Sequence, residues 1–249
     1  MVLSIVIIAF LTLGDTANNN KEPKFLQGPS SVLEYSEGTY SDPIASYTAS
    51  SQLPENPVLF FELVNGRTEQ TNRGATFRAV QDPVKQNLVK IFVTKPLVYE
   101  KVSSYMLIVQ VRNALDLSAE TQLTIEVTDE NNKSPVFTDI DSGSVLEHEP
   151  AGTEVMRVSA IDGDGTFPNN RVTYRIDDMD MDPEMKELFH IDPDTGVITT
   201  KKEFDREERE VYALTVIAED GAPSSLLKDG RPNQTANKFR IVIKDKNEY

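Results

Sequence analysis

Short runs of alternating apolar and polar residues recur along most of the chain. They are rich in β-branched residues and cover 106–111, 122–128, 155–160, 172–176, 211–218 and 239–243. A period of two places successive side chains on opposite faces of a strand, so each run predicts a half-buried β-strand. Turn-forming segments at 193–196 and 220–223 separate some of the runs. The pattern predicts antiparallel β-sandwiches.

One segment has a helical signature instead. Asp182, Pro183 and Glu184 supply a capping residue, a first-turn proline and an acidic group near the positive end of the helix dipole. We therefore expect a single helical turn within 182–188. The acidic residues around it, from Asp177 to Glu187, are expected to form a solvated loop.

The two halves of the chain repeat the same landmarks in the same order. Val-Leu-Glu-Tyr around Glu34 recurs as Val-Leu-Glu-His around Glu147, and Glu100 recurs as Glu207, each ahead of a strand. Asp129-Glu130-Asn131 recurs as Asp245-Lys246-Asn247. Repetition at a nearly constant offset predicts two homologous sandwiches with a seam near Ser134.

Composition narrows the possible functions. The 249 residues suffice for two domains, and the formal net charge of −15 argues against nucleic-acid binding, which needs a basic face. The absence of cysteine excludes disulfides and thiol chemistry. No glycine-rich phosphate loop, nucleophile elbow or zinc-binding histidine pair is present, and His148 and His190 have no partner at ligand spacing, so an enzyme is not expected.

The chain begins with an apolar run over residues 2–13. The run is too short to span a bilayer but fits the core of a secretory signal, so we expect a signal peptide over 1–17, with an ordinary buried segment as the alternative. Elsewhere no apolar stretch is long enough for a spanning helix. Membrane anchoring is therefore expected only for a longer parent protein.

The second half resembles an extracellular cadherin repeat over nearly its whole length. Its motifs are Leu-Glu-His-Glu-Pro-Ala-Gly-Thr at 146–153, Ala-Ile-Asp-Gly-Asp-Gly at 160–165, Phe-Asp-Arg-Glu at 204–207 and Ala-Glu-Asp-Gly-Ala-Pro at 218–223. Their order and spacing identify the chain as a member of the cadherin superfamily, of an invertebrate neural type or a protocadherin-like type. The resemblance implies two Greek-key sandwiches joined end to end, with a degenerate repeat over 18–133 and a well-matched repeat over 134–249.

The resemblance also implies calcium sites at the ends of the repeats. Calcium takes six to eight oxygen ligands, more than any single loop of this chain offers. Carried over from the family, the ligands at the boundary inside this chain are Glu34, Glu100, Asp129, Asn131, Asp162, Asp164, Asp220 and the Asn169 carbonyl. A second half-set, comprising Glu147, Asp205, Glu207, Asp245 and Asn247, would face a third repeat. Calcium at the boundary would turn a hinge into a rigid joint.

The chain departs from the family pattern at the inner boundary. Val98 replaces an aspartate ligand, and Asn132-Lys133 replaces an Asp-Asn pair, which removes a carboxylate and adds a cation. We therefore predict fewer than three ions there, with the tightest in repeat two and the outermost weakest or missing. Repeat one also has Asn113 where repeat two has Asp220, and lacks the Asp-x-Asp pair, so we expect that no repeat precedes it and that the chain is a fragment of a longer protein.

Two glycosylation sequons are present. Asn233-Gln234-Thr235 lies in a polar segment, so Asn233 is retained as a tentative glycan site. At Asn132-Lys133-Ser134 the following Pro135 and the calcium ligands argue against a glycan.

The function expected from the resemblance is calcium-dependent cell–cell adhesion at the extracellular surface, through homophilic contact with another cadherin. Family members that exchange their first strand insert a tryptophan, and this chain has none, so another interface is expected. The alternative is a structural spacer or a heterophilic receptor-binding ectodomain. A secreted hydrolase that uses the carboxylates is a third, more distant alternative.

Overall fold

The computed structural model describes residues 21–138, 142–177 and 184–246. The expected signal peptide, the helix-capping Asp182 and the ligand Asn247 lie outside these ranges. The chain divides into two compact units, of which the first ends at Asp129 and the second begins at Glu130. The division falls four residues before the seam expected at Ser134.

The first unit is a sandwich of two four-stranded sheets. One sheet has the order β1-β3-β6-β5 and the other the order β2-β8-β7-β4, in which β2 runs parallel to β8. The strands are β1 Lys24–Gln27, β2 Val32–Ser36, β3 Ala45–Ser50, β4 Leu59–Val64, β5 Phe77–Gln81, β6 Leu88–Val93, β7 Ser104–Asn113 and β8 Ser118–Thr128, with a 3-10 turn at Glu69–Thr71.

Strict alternation along the two longest strands produces the core of the first unit. On β7, Tyr105, Leu107 and Val109 are buried while the residues between them are partly or fully exposed. On β8, Leu123 and Ile125 are likewise buried, and the residue between them is partly exposed. Burying such side chains contributes about 1.5–3 kcal/mol each, so the period-two pattern itself selects which face of the sheet turns inward.

The second unit repeats this plan with shorter strands. Its main sheet has the order β10-β17-β16-β13, with β10 parallel to β17, and it is accompanied by the sheets β11-β15-β14 and β12-β9. The strands are β9 Val136–Phe137, β10 Gly143–Leu146, β11 Glu154–Arg157, β12 Ala160–Ile161, β13 Thr173–Ile176, β14 Phe189–Ile191, β15 Val197–Thr200, β16 Val211–Glu219 and β17 Gln234–Lys244.

The prediction of an all-β fold is confirmed, although one strand is shorter than its pattern implied. The run over 155–160 divides, since β11 pairs with β15 as far as Arg157 and Ala160 then pairs with Phe137 of β9. The expected helical turn is present as α1, Met185–Leu188, which begins after Glu184. Met185 and Leu188 enter the core of the second unit, which explains why the turn forms there.

Candidate metal sites

Three carboxylates of the first unit converge at one end of the sheet β2-β8-β7-β4. Glu37 follows β2, Glu100 precedes β7 and Asp129 follows β8 directly. One carboxylate oxygen of each lies within 4.8 Å of the others, with Glu100 exposed and the other two half-buried. Three negative charges at this separation repel one another, and a bound divalent cation would relieve that repulsion.

Strand register determines which glutamate joins this cluster. Ser36 of β2 pairs with Thr128 of β8, so the next residue, Glu37, donates its backbone N–H to the Thr128 carbonyl at 3.0 Å. The Glu37 Oε2 atom accepts a hydrogen bond from the Tyr99 N–H at 3.2 Å. These two contacts fix the Glu37 side chain beside Glu100.

Glu34, the glutamate expected from the sequence match, is not in this cluster. It lies in the middle of β2 opposite Glu126 of β8, and its side chain is exposed. The structural counterpart of Glu147 is Glu37, because Glu147 donates its N–H to the Lys244 carbonyl as Glu37 does to Thr128. The letters Val-Leu-Glu match Glu34 to Glu147, but the residue at the equivalent strand end is Glu37, three residues later.

Three aspartates of the second unit are buried near the end that carries its N-terminus. Asp162, Asp164 and Asp220 are 7%, 5% and 3% exposed. Asp162 Oδ1 accepts the Asp164 N–H at 2.8 Å, and Asp220 Oδ2 accepts the Asn233 N–H at 3.1 Å. Burial raises the pKa of the Asp162 carboxyl, and the negative charge of Asp220 raises it further.

Asp162 Oδ2 is buried without a hydrogen-bond partner within the part of the chain that the structure describes. A buried carboxylate oxygen left in this state costs about 1–3 kcal/mol or more. The oxygen therefore lies in surroundings that favour either a proton or a cation, and the raised pKa of this carboxyl has the same cause.

Asn131 is held inside the second unit by a residue that the sequence did not implicate as a ligand. Asn233 Nδ2 donates to Asn131 Oδ1 at 2.5 Å, while Asn131 Nδ2 donates to the Ala222 carbonyl at 2.6 Å. Asn233 also brackets Asp220, because Asp220 donates its own N–H to the Asn233 carbonyl. Asn233 thus links Asn131, in the connecting segment at the start of the second unit, to the turn that carries Asp220.

This position argues against a glycan at Asn233. The residue is 4% exposed, and its Nδ2 atom, the atom that would carry the sugar, donates its hydrogen bond within the fold. Attachment would require a buried pair to separate. The structure therefore does not support glycosylation of Asn233. The polar residues around Asn233 suggested an exposed loop, but its side chain turns inward.

The remaining inner-boundary ligand, Asn169, is half-buried in the loop between β12 and β13. This loop lies close to the Asp220 turn, since a Cβ added at Gly221 would come within 2.7 Å of the Pro168 carbonyl oxygen. A glycine at 221 therefore permits the close approach of the two loops that carry Asn169 and Asp220.

The far end of the second unit carries the other half-set. Glu147 is 8% exposed, and its carboxylate accepts the backbone N–H groups of Lys246 and Arg206, both at 3.1 Å. These hydrogen bonds lower the pKa of Glu147. Asp205 Oδ1 accepts the Glu207 N–H at 2.8 Å, and Glu207 and Asp245 are exposed. Asn247 lies outside the described residues.

The chemistry of both inner sets fits a hard divalent cation. Carboxylate, amide and carbonyl oxygens are the ligands that calcium takes, and the chain has no cysteine for a softer metal. In the first unit the residues that would hold it are Glu37, Glu100 and Asp129. In the second unit they are Asp162, Asp164 and Asp220, among which the Asp162 Oδ2 atom, without a hydrogen-bond partner in the described part of the chain, has surroundings that suit a cation.

Tandem β-sandwiches with acidic groups at their ends are the architecture of cadherin ectodomains, and comparison with known proteins agrees. The family model of the cadherin domain matches residues 141–243, and the chain belongs to the cadherin superfamily. The recognition made from the sequence motifs is thereby confirmed.

Similar proteins include cadherins of two invertebrates. The chain is 43% identical over 208 residues to Neural-cadherin of Drosophila melanogaster, which covers 82% of this chain and 7% of that protein. It is 35% identical over 170 residues to Cadherin-related hmr-1 of Caenorhabditis elegans, covering 64% of this chain and 6% of that protein. The chain thus spans less than a tenth of the length of either relative.

Solved structures show the same fold. Extracellular cadherin domains 3–6 of Protocadherin Gamma B2 superpose with a TM-score of 0.73 at 22% identity, covering 93% of this chain and 51% of that one. Within the described residues no helix is long and apolar enough to cross a membrane.

Proposed function

We propose that this chain is a calcium-binding part of the extracellular region of a cell–cell adhesion protein. Calcium held by the two acidic sets restrains the segment that joins the repeats, since Asp129 and Asn131 stand two residues apart on either side of the division. The longer parent is anchored at the cell surface, and the partner is another cadherin, by homophilic contact. Membership of the superfamily supports this proposal.

The observation that carries the calcium proposal is the state of Asp162. Its Oδ2 atom is buried without a hydrogen-bond partner among the described residues, close enough to Asp220 for that carboxylate to raise its pKa. Two carboxylates in this situation are stabilised when a divalent cation takes the place of protons. An ordinary solvated acidic face would leave such groups exposed.

We further propose that the inner boundary binds fewer than three ions, with the tightest in repeat two. The first-unit cluster keeps Glu37, Glu100 and Asp129, but Val98 stands where the second unit has the ligand Asp205. The second-unit set is more buried and includes the unpartnered Asp162 oxygen. Burial strengthens the attraction of carboxylates for a cation, so the ions should differ in affinity.

Calcium titration of the whole chain by calorimetry tests the binding. We expect fewer than three ions of unequal affinity, and at calcium concentrations about 100 times the dissociation constant a stabilisation of about 2.7 kcal/mol. Asp162→Asn should remove the tightest site. Glu154→Gln, an exposed acid on β11, is the matched control and should leave it intact. Three comparable sites, or no calcium binding, would contradict the proposal.

Adhesion requires a separate test. Beads coated with the chain should clump in calcium and disperse when a chelator is added. If the beads stay dispersed in calcium while calorimetry shows bound ions, then the homophilic part of the proposal is wrong. That outcome would favour a structural spacer or a heterophilic ectodomain.

A further inference from the structure

The lysine in the connecting segment places its ammonium group among oxygen atoms of the calcium-ligand loop. Lys133 Nζ donates to the Gly163 carbonyl at 2.8 Å and lies 3.6 Å from Asp164 Oδ1. The Asp164 side chain is fully inaccessible to solvent, whereas the Lys133 side chain is 37% exposed. The charge of a buried carboxylate is therefore balanced by a cation that enters from the surface.

Two further contacts hold this lysine in place. The Lys133 backbone N–H points to Asp164 Oδ2 at 3.4 Å, so both oxygens of one carboxylate face one residue. The aliphatic stem of Lys133 passes over Gly163, where an added Cβ would come within 2.9 Å of Lys133 Cδ. The side chain of Lys133 is thus held at its backbone end by Asp164 and at its ammonium end by the Gly163 carbonyl.

The neighbouring aspartate differs in this respect. Asp162 Oδ2 is buried without a hydrogen-bond partner in the described part of the chain, while Asp164, two residues later, has a lysine beside it. A carbonyl and a buried carboxylate are oxygen ligands of the kind that calcium prefers. The ammonium therefore faces Asp164 directly, and its positive charge also acts on Asp162, whose pKa it lowers against the larger effect of burial.

We propose that Lys133 is a tethered cation that competes with calcium for Asp164 and so limits the affinity and number of the ions in the second repeat. The inference rests on the calcium binding proposed above. Calcium that approaches Asp164 must either displace the ammonium or bind beside a like charge, and both weaken binding. Asp162 keeps its Oδ2 atom, which has no hydrogen-bond partner among the described residues.

Replacing Lys133 in the whole chain tests this competition. In calcium calorimetry, Lys133→Gln should bind an additional ion or lower the dissociation constant of the second-repeat site by roughly tenfold, because the competing charge is gone. Lys133→Met, which keeps the stem over Gly163, should do the same. Circular dichroism in chelator establishes that each variant is folded.

Two variants serve as controls. Lys133→Arg keeps the positive charge and should behave as the native chain. Lys228→Gln removes the same charge from an exposed loop of the second unit and should leave calcium binding within about twofold, as expected for a screened surface charge.

The possible failures are distinguishable. If the native chain binds calcium and both Lys133→Gln and Lys133→Met bind it no better, then Lys133 is an ordinary ion-pair residue and the inference is overturned while the calcium proposal stands. If Lys228→Gln raises affinity as much as Lys133→Gln, then net charge is the cause and the inference is again wrong. If neither the native chain nor any variant binds calcium, the calcium proposal itself fails.

Discussion

The same corner of the two sandwiches is closed by different chemistry. In the second unit, Asp220 follows β16 and presents a carboxylate beside Asp162. In the first unit, Asn113 ends β7, and its side-chain Nδ2 donates to the carbonyls of Lys21 and Ser51 at 2.6 and 3.0 Å. An uncharged amide thus donates to two carbonyl oxygens in the first unit, whereas the second unit has a carboxylate at the same corner.

The difference teaches how the same corner of a repeat can be stabilised by an uncharged side chain. Asn113 is 2% exposed, and its Oδ1 atom also accepts the N–H groups of Leu115 and Leu117, so both ends of the amide are hydrogen-bonded. Two hydrogen atoms on one nitrogen satisfy two carbonyls without any net charge. The side-chain amide at the corner of the first unit is hydrogen-bonded at both ends, whereas Asp162 at the corner of the second unit has an oxygen without a hydrogen-bond partner among the described residues.

The ends of the two units that carry Glu37 and Glu147 have the same backbone hydrogen bond but different side chains beside it. Glu37 accepts the N–H of Tyr99 as Glu147 accepts that of Arg206. The residue before each donor is Val98 in one unit and Asp205 in the other. The two units therefore share this backbone hydrogen bond and differ in one adjacent side chain, Val98 in place of Asp205.

The largest effect is expected from making the first corner resemble the second. Asn113→Asp removes both donors to the Lys21 and Ser51 carbonyls and buries a charge, so the first unit should lose about 3 kcal/mol of unfolding free energy in chelator. Urea denaturation of the whole chain, followed through the unfolding transition of its first unit, measures this free energy. Asn56→Asp, an exposed turn residue whose Oδ1 accepts the Val58 N–H, introduces the same charge and should cost far less. Equal losses would refute the role given to Asn113.

A smaller effect separates the two candidate glutamates of the first unit. Glu37→Gln should weaken calcium binding at the cluster by about tenfold or more, because one of three carboxylate charges is removed. Glu34→Gln, on the exposed face of β2, should leave binding unchanged. Calcium calorimetry on both variants decides between them, and the reverse ranking would restore the assignment made from the sequence match.

Restoring the lost ligand should act in the other direction. Val98→Asp gives the first unit the carboxylate that the second has at Asp205, and calcium affinity at the cluster should rise by about tenfold, equivalent to about 1.4 kcal/mol. Val84→Asp, at a residue that is 87% exposed on the β5–β6 turn, is the control. If both substitutions raise affinity equally, general charge rather than the restored position is responsible.

The smallest effect concerns pH. Because burial and Asp220 raise the pKa of Asp162, the calcium-free fold favours the protonated form. Its contribution to stability is present below the ordinary pKa of aspartate and is lost as pH rises through the raised pKa. In chelator, the native second unit should therefore lose stability relative to the Asp162→Asn variant as the pH rises from the ordinary pKa of aspartate through the raised one. The charged groups that face Asp162 are Asp164, Asp220 and Lys133. Melting curves across this range that coincide for the two proteins would contradict this.

Much of the candidate site was predictable from the sequence because its residues lie at fixed distances from strand ends. Asp162 and Asp164 follow one predicted strand and Asp220 directly follows another, and the resemblance to a cadherin repeat implied that the three act together. Glu34 was matched to Glu147 by the letters Val-Leu-Glu, whereas the parallel pairing of β2 with β8 places Glu37 at the end of the strand beside Glu100 and Asp129. Register depends on the partner strand, which is remote in sequence.

The sequence by itself determined the all-β class, the cadherin resemblance and the departures at Val98 and Lys133, because these rest on local period and on residue identity. Only the tertiary structure decided that Asn233 is buried against Asn131, that Asp162 Oδ2 is left without a hydrogen-bond partner among the described residues, and that the ammonium of Lys133 faces Asp164. Burial and desolvation arise from segments distant along the chain, and they decide which acidic groups favour a cation and which remain solvated.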